Sequence, residues 1–190
     1  MKKLPAAALV ALAFTAFPAL AAPGPVHPVP GAVCNLYLID TTPKSVAFTN
    51  VTETLAQAPA AATFVDDAET FRPSEKVEGV HSSWGMWTGW MKAPAAGTYT
   101  FLCQRQYSFN VISLSRTLYS VWVNGELKLE AVGGQHSFDA ELVAGFNAVT
   151  IIAESDSDYN YPLALSFKRK GSVKEPIPLR PADMFYEDEQ

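Results

Sequence analysis

Trp87-Thr88-Gly89-Trp90-Met91-Lys92-Ala93-Pro94, followed at once by Ala95-Ala96-Gly97-Thr98-Tyr99-Thr100-Phe101, is the stretch that decides how this protein folds. An aromatic-rich run reaches a proline, a small-residue turn holding Gly97 follows, and an alternating run restarts with Tyr99 and Phe101 in phase. Pro94 has no N–H to give a ladder, so the first strand ends there. Trp87 and Trp90 stand three apart and cannot share a face of a regular strand, so at least one packs inward. With Trp84 they would make a ligand platform if exposed; core is the simpler reading for most of them.

Period-two runs continue on both sides. Cys34 to Ile39 reads as a strand with Cys34, Leu36 and Leu38 on one face. Residues 41–62 are poor in bulky side groups and read as loop, with a short strand near Val46 to Thr49. Thr98 to Cys103 keeps Tyr99, Phe101 and Cys103 in phase. Leu118 to Val123 and Leu127 to Ala131 flank Asn124-Gly125, the strongest short hairpin signal, because both turn residues tolerate positive φ. Ser137 to Val143 is expected to pair next. Ala144-Gly145-Phe146-Asn147 turns into Ala148 to Ala153. Leu163, Leu165 and Phe167 line one side of a last strand, with Ser166 and Lys168 on the other. Roughly nine short strands with turns between them, no long helical period and no internal repeat predict an all-β protein: a single-domain antiparallel β-sandwich, jelly-roll-like.

The first residues read as an address. Lys2 and Lys3 precede an apolar run from Leu4 to Phe17, too short for the about 20 residues that span a bilayer. Ala19-Leu20-Ala21 offers a cleavage site, so residues 1–21 are expected to be removed. Residues 22–30 form a Pro-rich leader; Pro25, Pro28 and Pro30 lack donors, and no regular ladder is expected there. The sandwich is placed at residues 31–186 and an acidic tail at 187–190. The full sequence carries 14 Lys and Arg against 19 Asp and Glu, a net charge of −5; loss of Lys2 and Lys3 leaves 12 against 19, or −7. An acidic protein of this kind lacks the cationic surface nucleic acid requires and has no attraction for anionic lipid. Cys34 and Cys103 are the only cysteines. In an exported protein one even pair reads as a disulfide, with two reduced, buried thiols packing as small apolar groups as the alternative. The disulfide would close a loop of about 70 residues and contribute roughly 4 kcal/mol through the lost entropy of the unfolded state.

In order and spacing these pieces resemble the protective-antigen-type β-sandwich domain of toxins, flocculins and glycosidase inserts. Gly31 to Tyr37 fills the place of the family's Gly-led first strand. Trp87-Thr88-Gly89 with Ala93-Pro94 is similar to its Trp-x-Gly strand closing in proline, and Gly97-x-Tyr99-x-Phe101 follows as in the family. Val121-Trp122-Val123-Asn124-Gly125, Leu142-x-Ala144-Gly145, Leu163-x-Leu165-x-Phe167 and Pro178 fill the later places. The resemblance implies a sandwich working outside the cytoplasm, with glycan binding as a frequent task. Glycan-binding members hold calcium on two adjacent Asp between the Tyr-x-Phe and Val-x-x-Gly strands. Here residues 104–120 contain no Asp or Glu, and carry Arg105 and Arg116 instead. A calcium site at that place is therefore not expected, because a hard dication needs carboxylate oxygens. Asp66-Asp67 lies upstream of that interval and reads as a solvated turn.

The densest polar cluster is Glu154-Ser155-Asp156-Ser157-Asp158-Tyr159-Asn160-Tyr161, between two strands. Asp156, Asp158 and Asn160 open like a helical calcium loop but lack its Gly and closing Glu. As a ligand loop the cluster has more to offer: Tyr159 and Tyr161 can stack on a sugar while carboxylates and amide accept from its hydroxyls. An ordinary acidic hairpin loop is the competing reading. Arg105 and Arg116 flank a Ser- and Asn-rich stretch and offer forks to an acidic sugar or a partner carboxylate. His27, His81 and His136 sit in no nucleophile motif, so no catalytic residue and no enzyme is expected. The expectation is an exported, noncatalytic binding module at the cell envelope, periplasmic or surface-exposed, recognising a glycan or a protein surface. The alternative is a structural or assembly subunit of an envelope complex or surface appendage.

Overall fold

A computed structural model describes residues 24–38, 55, 58–72, 82–105, 118–132, 134–156 and 162–188. The described residues form twelve strands in two antiparallel sheets. The strands are β1 (Pro28–Pro30), β2 (Ala32–Tyr37), β3 (Ala62–Asp66), β4 (Ser82–Ala93), β5 (Gly97–Arg105) and β6 (Leu118–Val123). The rest are β7 (Glu126–Val132), β8 (Gln135–Leu142), β9 (Gly145–Asp156), β10 (Leu163–Arg169), β11 (Ile177–Leu179) and β12 (Phe185–Glu187). The larger sheet runs β1-β12-β4-β9-β6-β7, with β2 beside β4 and β3 beside β2. The smaller runs β11-β10-β5-β8. This is an all-β sandwich.

The opening stretch does what its residues dictate. β4 pairs with β9 along its whole length, from Ser82↔Asp156 to Ala93↔Gly145, and stops where Pro94 begins. Its alternation splits the tryptophans. Trp87 enters the core between the sheets, fully buried, with its ring edge-on to Phe71 at 5.6 Å. Trp84 is buried in a second, smaller apolar cluster with Tyr37, Leu55 and Ile152. Trp90 is half-buried. Gly89 explains the glycine of the Trp-x-Gly strand: a Cβ there would lie 2.6 Å from the Phe185 carbonyl oxygen, so only glycine lets β12 lie this close to β4.

The smaller sheet supplies Tyr99, Phe101 and Cys103 from β5 and Leu163, Leu165 and Phe167 from β10 to the same core. Phe101 stacks on Phe138 at 4.9 Å and on Phe167 at 5.7 Å, aromatic contacts that add to area burial. Asn124 and Gly125 take φ of 51° and 80°, the positive values that a two-residue hairpin between β6 and β7 requires.

Three expectations are corrected. First, Ser137 to Val143 does not pair with the hairpin before it. β8 crosses to the smaller sheet and pairs with β5, Phe101↔Phe138 at its centre. Its inward-facing Phe138, Ala140 and Leu142 reach the core between the sheets from a place beside β5. Second, the disulfide is absent: Cys34 and Cys103 are free, buried thiols. Cys34 stands on β2 of the larger sheet and Cys103 on β5 of the smaller. Each thiol is enclosed in the core between the sheets, where it packs as a small apolar group. Third, the leader does build a ladder. β1 pairs with β12, Val29↔Tyr186 at the centre. Gly31 N donates to Met184 O, and Asp188 N donates to His27 O. The hydrogen-bonded positions are thus the odd residues 27, 29 and 31, and the missing donors of Pro28 and Pro30 face away from the partner strand. The Glu187 carboxylate then accepts from the N–H groups of Val26 and His27, at 2.6 and 3.0 Å. Met184 is fully buried, so residues 184–187 belong to the packed structure.

Candidate functional site

The register of the strands sorts the connections between them to two ends of the sandwich. At one end lie the close of β2 (Tyr37↔Trp84), the starts of β4 and β3, the close of β9 (Asp156↔Ser82) and the meeting of β10 with β5 (Leu163↔Arg105). The start of β6 is there too, Leu118 opposite Val132. We call this the open end. The Ser- and Asn-rich stretch and the acidic-aromatic loop both depart from it.

Of the residues singled out from the sequence, Asp156 and Arg105 are placed by backbone at this end, as the last residues of β9 and β5. Asp158, Tyr159, Asn160, Tyr161 and Arg116 lie outside the described residues, as does the short strand expected near Val46. What the structure adds is that the two flanking segments, 105–118 and 156–163, spring from neighbouring strands: β5 beside β10, and β6 beside β9.

Beneath them the end is well anchored. The Glu154 carboxylate accepts from the Leu118 N–H at 3.1 Å, tying the close of β9 to the start of β6. Phe71 bridges to Leu163, which donates its N–H to the Phe71 carbonyl at 3.0 Å. Inside, burial pushes the Cys103 thiol up to about 12. Burial, followed by the Asp66 carboxylate nearby, pushes the Cys34 thiol well above its ordinary value. Burial thus disfavours the thiolate form of both.

Asp66 is where the tandem acidic pair departs from its reading as a solvated turn. It is the last residue of β3 and is buried. Its Oδ2 accepts the Trp87 indole N–H at 2.6 Å, and its Oδ1 accepts the Ala68 N–H at 3.0 Å. Both oxygens accept hydrogen bonds from the fold. Among the described residues no three His, Cys, Asp or Glu side groups converge as a metal would need.

The opposite end is closed by short turns, and one residue organises it. Asn147 is 1% exposed. Its Oδ1 accepts from the Val143 N–H at 2.9 Å and from Asn124 Nδ2 at 3.1 Å. Its Nδ2 donates to the Val143 carbonyl at 2.9 Å and to the Gly145 carbonyl at 3.1 Å. All four valences of the amide are used. Asn124 answers through its own Oδ1, which accepts from the Ala148 N–H at 3.0 Å. Neither Asp66 nor Asn147 was legible as important. Each looks like an ordinary turn residue until the partner strand is known.

A shallow cavity of about 170 Å³ opens beside Met91, Lys92, Phe167 and Leu179. Its guanidinium, Arg180, is already forked by Asp183 at 2.5 and 2.9 Å and paired with Glu69, so it offers an incoming anion little.

No protein-family model matches the sequence, and no curated protein matches it. Solved structures do match the fold. The PA14 sugar-binding domain of an RTX adhesin aligns with a TM-score of 0.56 and 16% identity, over 79% of this protein and 96% of that one. The PA14 domain of the antifreeze protein MpAFP aligns at 0.61 and 14%, over 88% and 96%. The A domain of epithelial adhesin 6 from Candida glabrata, solved in complex with Galb1-3GlcNAc, aligns at 0.58 and 17%, over 92% and 94%. At these identities the likeness is one of fold: a PA14-like β-sandwich.

Proposed function

We propose that this protein is a noncatalytic, glycan-binding module that is exported and works at the cell envelope, with its ligand taken at the open end. The observation that carries the reading is topological. The segments with the residue types a sugar needs, the Asp156–Tyr161 loop and the stretch between Arg105 and Arg116, leave neighbouring strand ends of one PA14-like sandwich. Tyr159 and Tyr161 supply faces for stacking on C–H groups. Asp156, Asp158 and Asn160 accept from hydroxyls, and Arg105 and Arg116 select a carboxylate-bearing sugar or partner. Two of the solved structures that share the fold are a sugar-binding domain and an adhesin domain solved with Galb1-3GlcNAc, which supports the same assignment.

Binding in this reading runs without tight calcium. The interval that carries the calcium pair in glycan-binding relatives has no carboxylate here, Asp66 is spent on Trp87, and Arg105 and Arg116 repel a dication. A glycan array probed with the protein lacking residues 1–21 tests the proposal. Specific retention of one sugar class, unchanged by chelator, is expected. An array silent with and without calcium, together with a stoichiometric protein partner recovered from the envelope, would replace it with the assembly-subunit reading.

A further inference from the structure

Asn124 is the one asparagine followed by glycine in this sequence. Asn-Gly is the dipeptide most prone to spontaneous deamidation, because glycine places no side group in the way of its own amide nitrogen. The reaction is intramolecular. The Gly125 nitrogen attacks Asn124 Cγ and a new bond forms between them. The bond from Cγ to Nδ2 breaks, and Nδ2 leaves as ammonia with the proton given up by the Gly125 nitrogen. Water then opens the resulting succinimide at either carbonyl, giving aspartate or isoaspartate at position 124.

In this fold the amide is held elsewhere. Asn124 Nδ2 donates to Asn147 Oδ1 at 3.1 Å, and Asn124 Oδ1 accepts from the Ala148 N–H at 3.0 Å. The Asn124 N–H donates to the Ala148 carbonyl at 2.8 Å. Asn147 is in turn immobilised by Val143 and Gly145. The electrophilic carbon can turn toward Gly125 N only if this clasp opens. We propose that Asn124 is a spontaneous deamidation site of this protein and that Asn147 is the residue that keeps it silent in the folded state.

The product explains why the guard matters. Aspartate at 124 still accepts from Ala148 N, but it brings an acceptor against Asn147 Oδ1 where a donor stood. Isoaspartate also lengthens the backbone of a two-residue turn, whose φ values of 51° and 80° leave no slack. Either product loosens the β6–β7 hairpin at the turn end and leaves the open end untouched.

The test follows the acid-for-amide mass change of the peptide containing Asn124 over weeks at mildly alkaline pH. It uses the protein from residue 22 onward in buffer and, in parallel, in denaturing urea. Folding is expected to slow conversion by about tenfold or more, because the rate follows the population of the open clasp. Asn147→Ser, verified as folded by near-ultraviolet circular dichroism, is expected to convert severalfold faster than wild type in buffer and at the wild-type rate in urea. A folded Asn147→Ser converting at the wild-type rate overturns the proposal. If Asn147→Ser does not fold, the wild-type comparison decides alone: equal rates in buffer and urea overturn it.

Discussion

The two ends of this sandwich are built on opposite principles. The turn end is made of short connections: Asn124-Gly125 joins β6 to β7, and Val143-Ala144 joins β8 to β9. Its polar groups are spent on one another through Asn147. The open end receives the long connections after β2, β5 and β9, and those segments carry Ser, Thr, Asn, Tyr and Asp, with Arg116 in the second. A rigid frame closed at one end and furnished with polar and aromatic loops at the other is how β-sandwiches separate stability from recognition. Stability here is accordingly expected to respond to the turn end and the core, and binding to the open end.

The largest effect is expected at Asn147. Asn147→Ala strips partners from the Val143 N–H, the Val143 and Gly145 carbonyls and Asn124, and should cost about 3 kcal/mol in urea unfolding. Arg116→Ala at the open end should stay within about 0.5 kcal/mol. Equal losses for the two would erase the contrast. Next comes the core. Trp87→Phe keeps most of the apolar volume but leaves Asp66 Oδ2 buried without its donor, at a cost of about 2 kcal/mol. A cost indistinguishable from zero would mean that water readily reaches Asp66.

The legible part of the molecule was the part set by local rules. β4 to β5 across Pro94-Gly97, the Asn124-Gly125 hairpin and the Leu163–Phe167 alternation all follow from turn chemistry and period two, and all three stand in the structure. What failed to show was non-local. Nothing in Gln135 to Leu142 tells that it leaves one sheet for the other. Prolines at 28 and 30 look like ladder breakers until the odd-numbered register against β12 is known. The cysteines share an in-phase apolar pattern, which puts both in the interior but cannot say that they stand on facing sheets. Asp66 and Asn147 gain their roles from strands distant in sequence. The candidate loop was legible as composition only; the topology supplies its neighbours.

Smaller effects sharpen the same picture. The two thiols should be silent to a thiol reagent in the folded protein and both titrate in denaturant, with the melting temperature unmoved by reductant. Mass or mobility showing an intramolecular bridge would contradict the free state of Cys34 and Cys103. The least effect is expected on the exposed face of the smaller sheet. There the Lys170 ammonium, and then the Thr100 hydroxyl, hold the Asp139 carboxyl below its usual range by hydrogen bonding. A depressed carboxyl contributes stability that is present above its unfolded-state value and lost as pH falls through its folded-state value. Asp139→Asn should therefore lower the melting temperature slightly at neutral pH and not at all below the carboxylate range. The difference should shrink in high salt, because the pair is solvent-exposed. A salt-insensitive loss would show that the pair does more than sit at the surface.

The division of labour between the ends is tested most directly by titrating the sugar class found on the array into three proteins: the wild type from residue 22 onward, its Tyr159→Ala/Tyr161→Ala variant and its Asn147→Asp variant. The open-end variant is expected to melt with the wild type and to lose binding at least about tenfold, as the loss of stacked aromatic faces implies. The turn-end variant is expected to melt lower and, while folded, to bind as the wild type does. Undiminished binding by the open-end variant, or binding lost only with the turn-end substitution, would contradict the assignment of recognition to the open end.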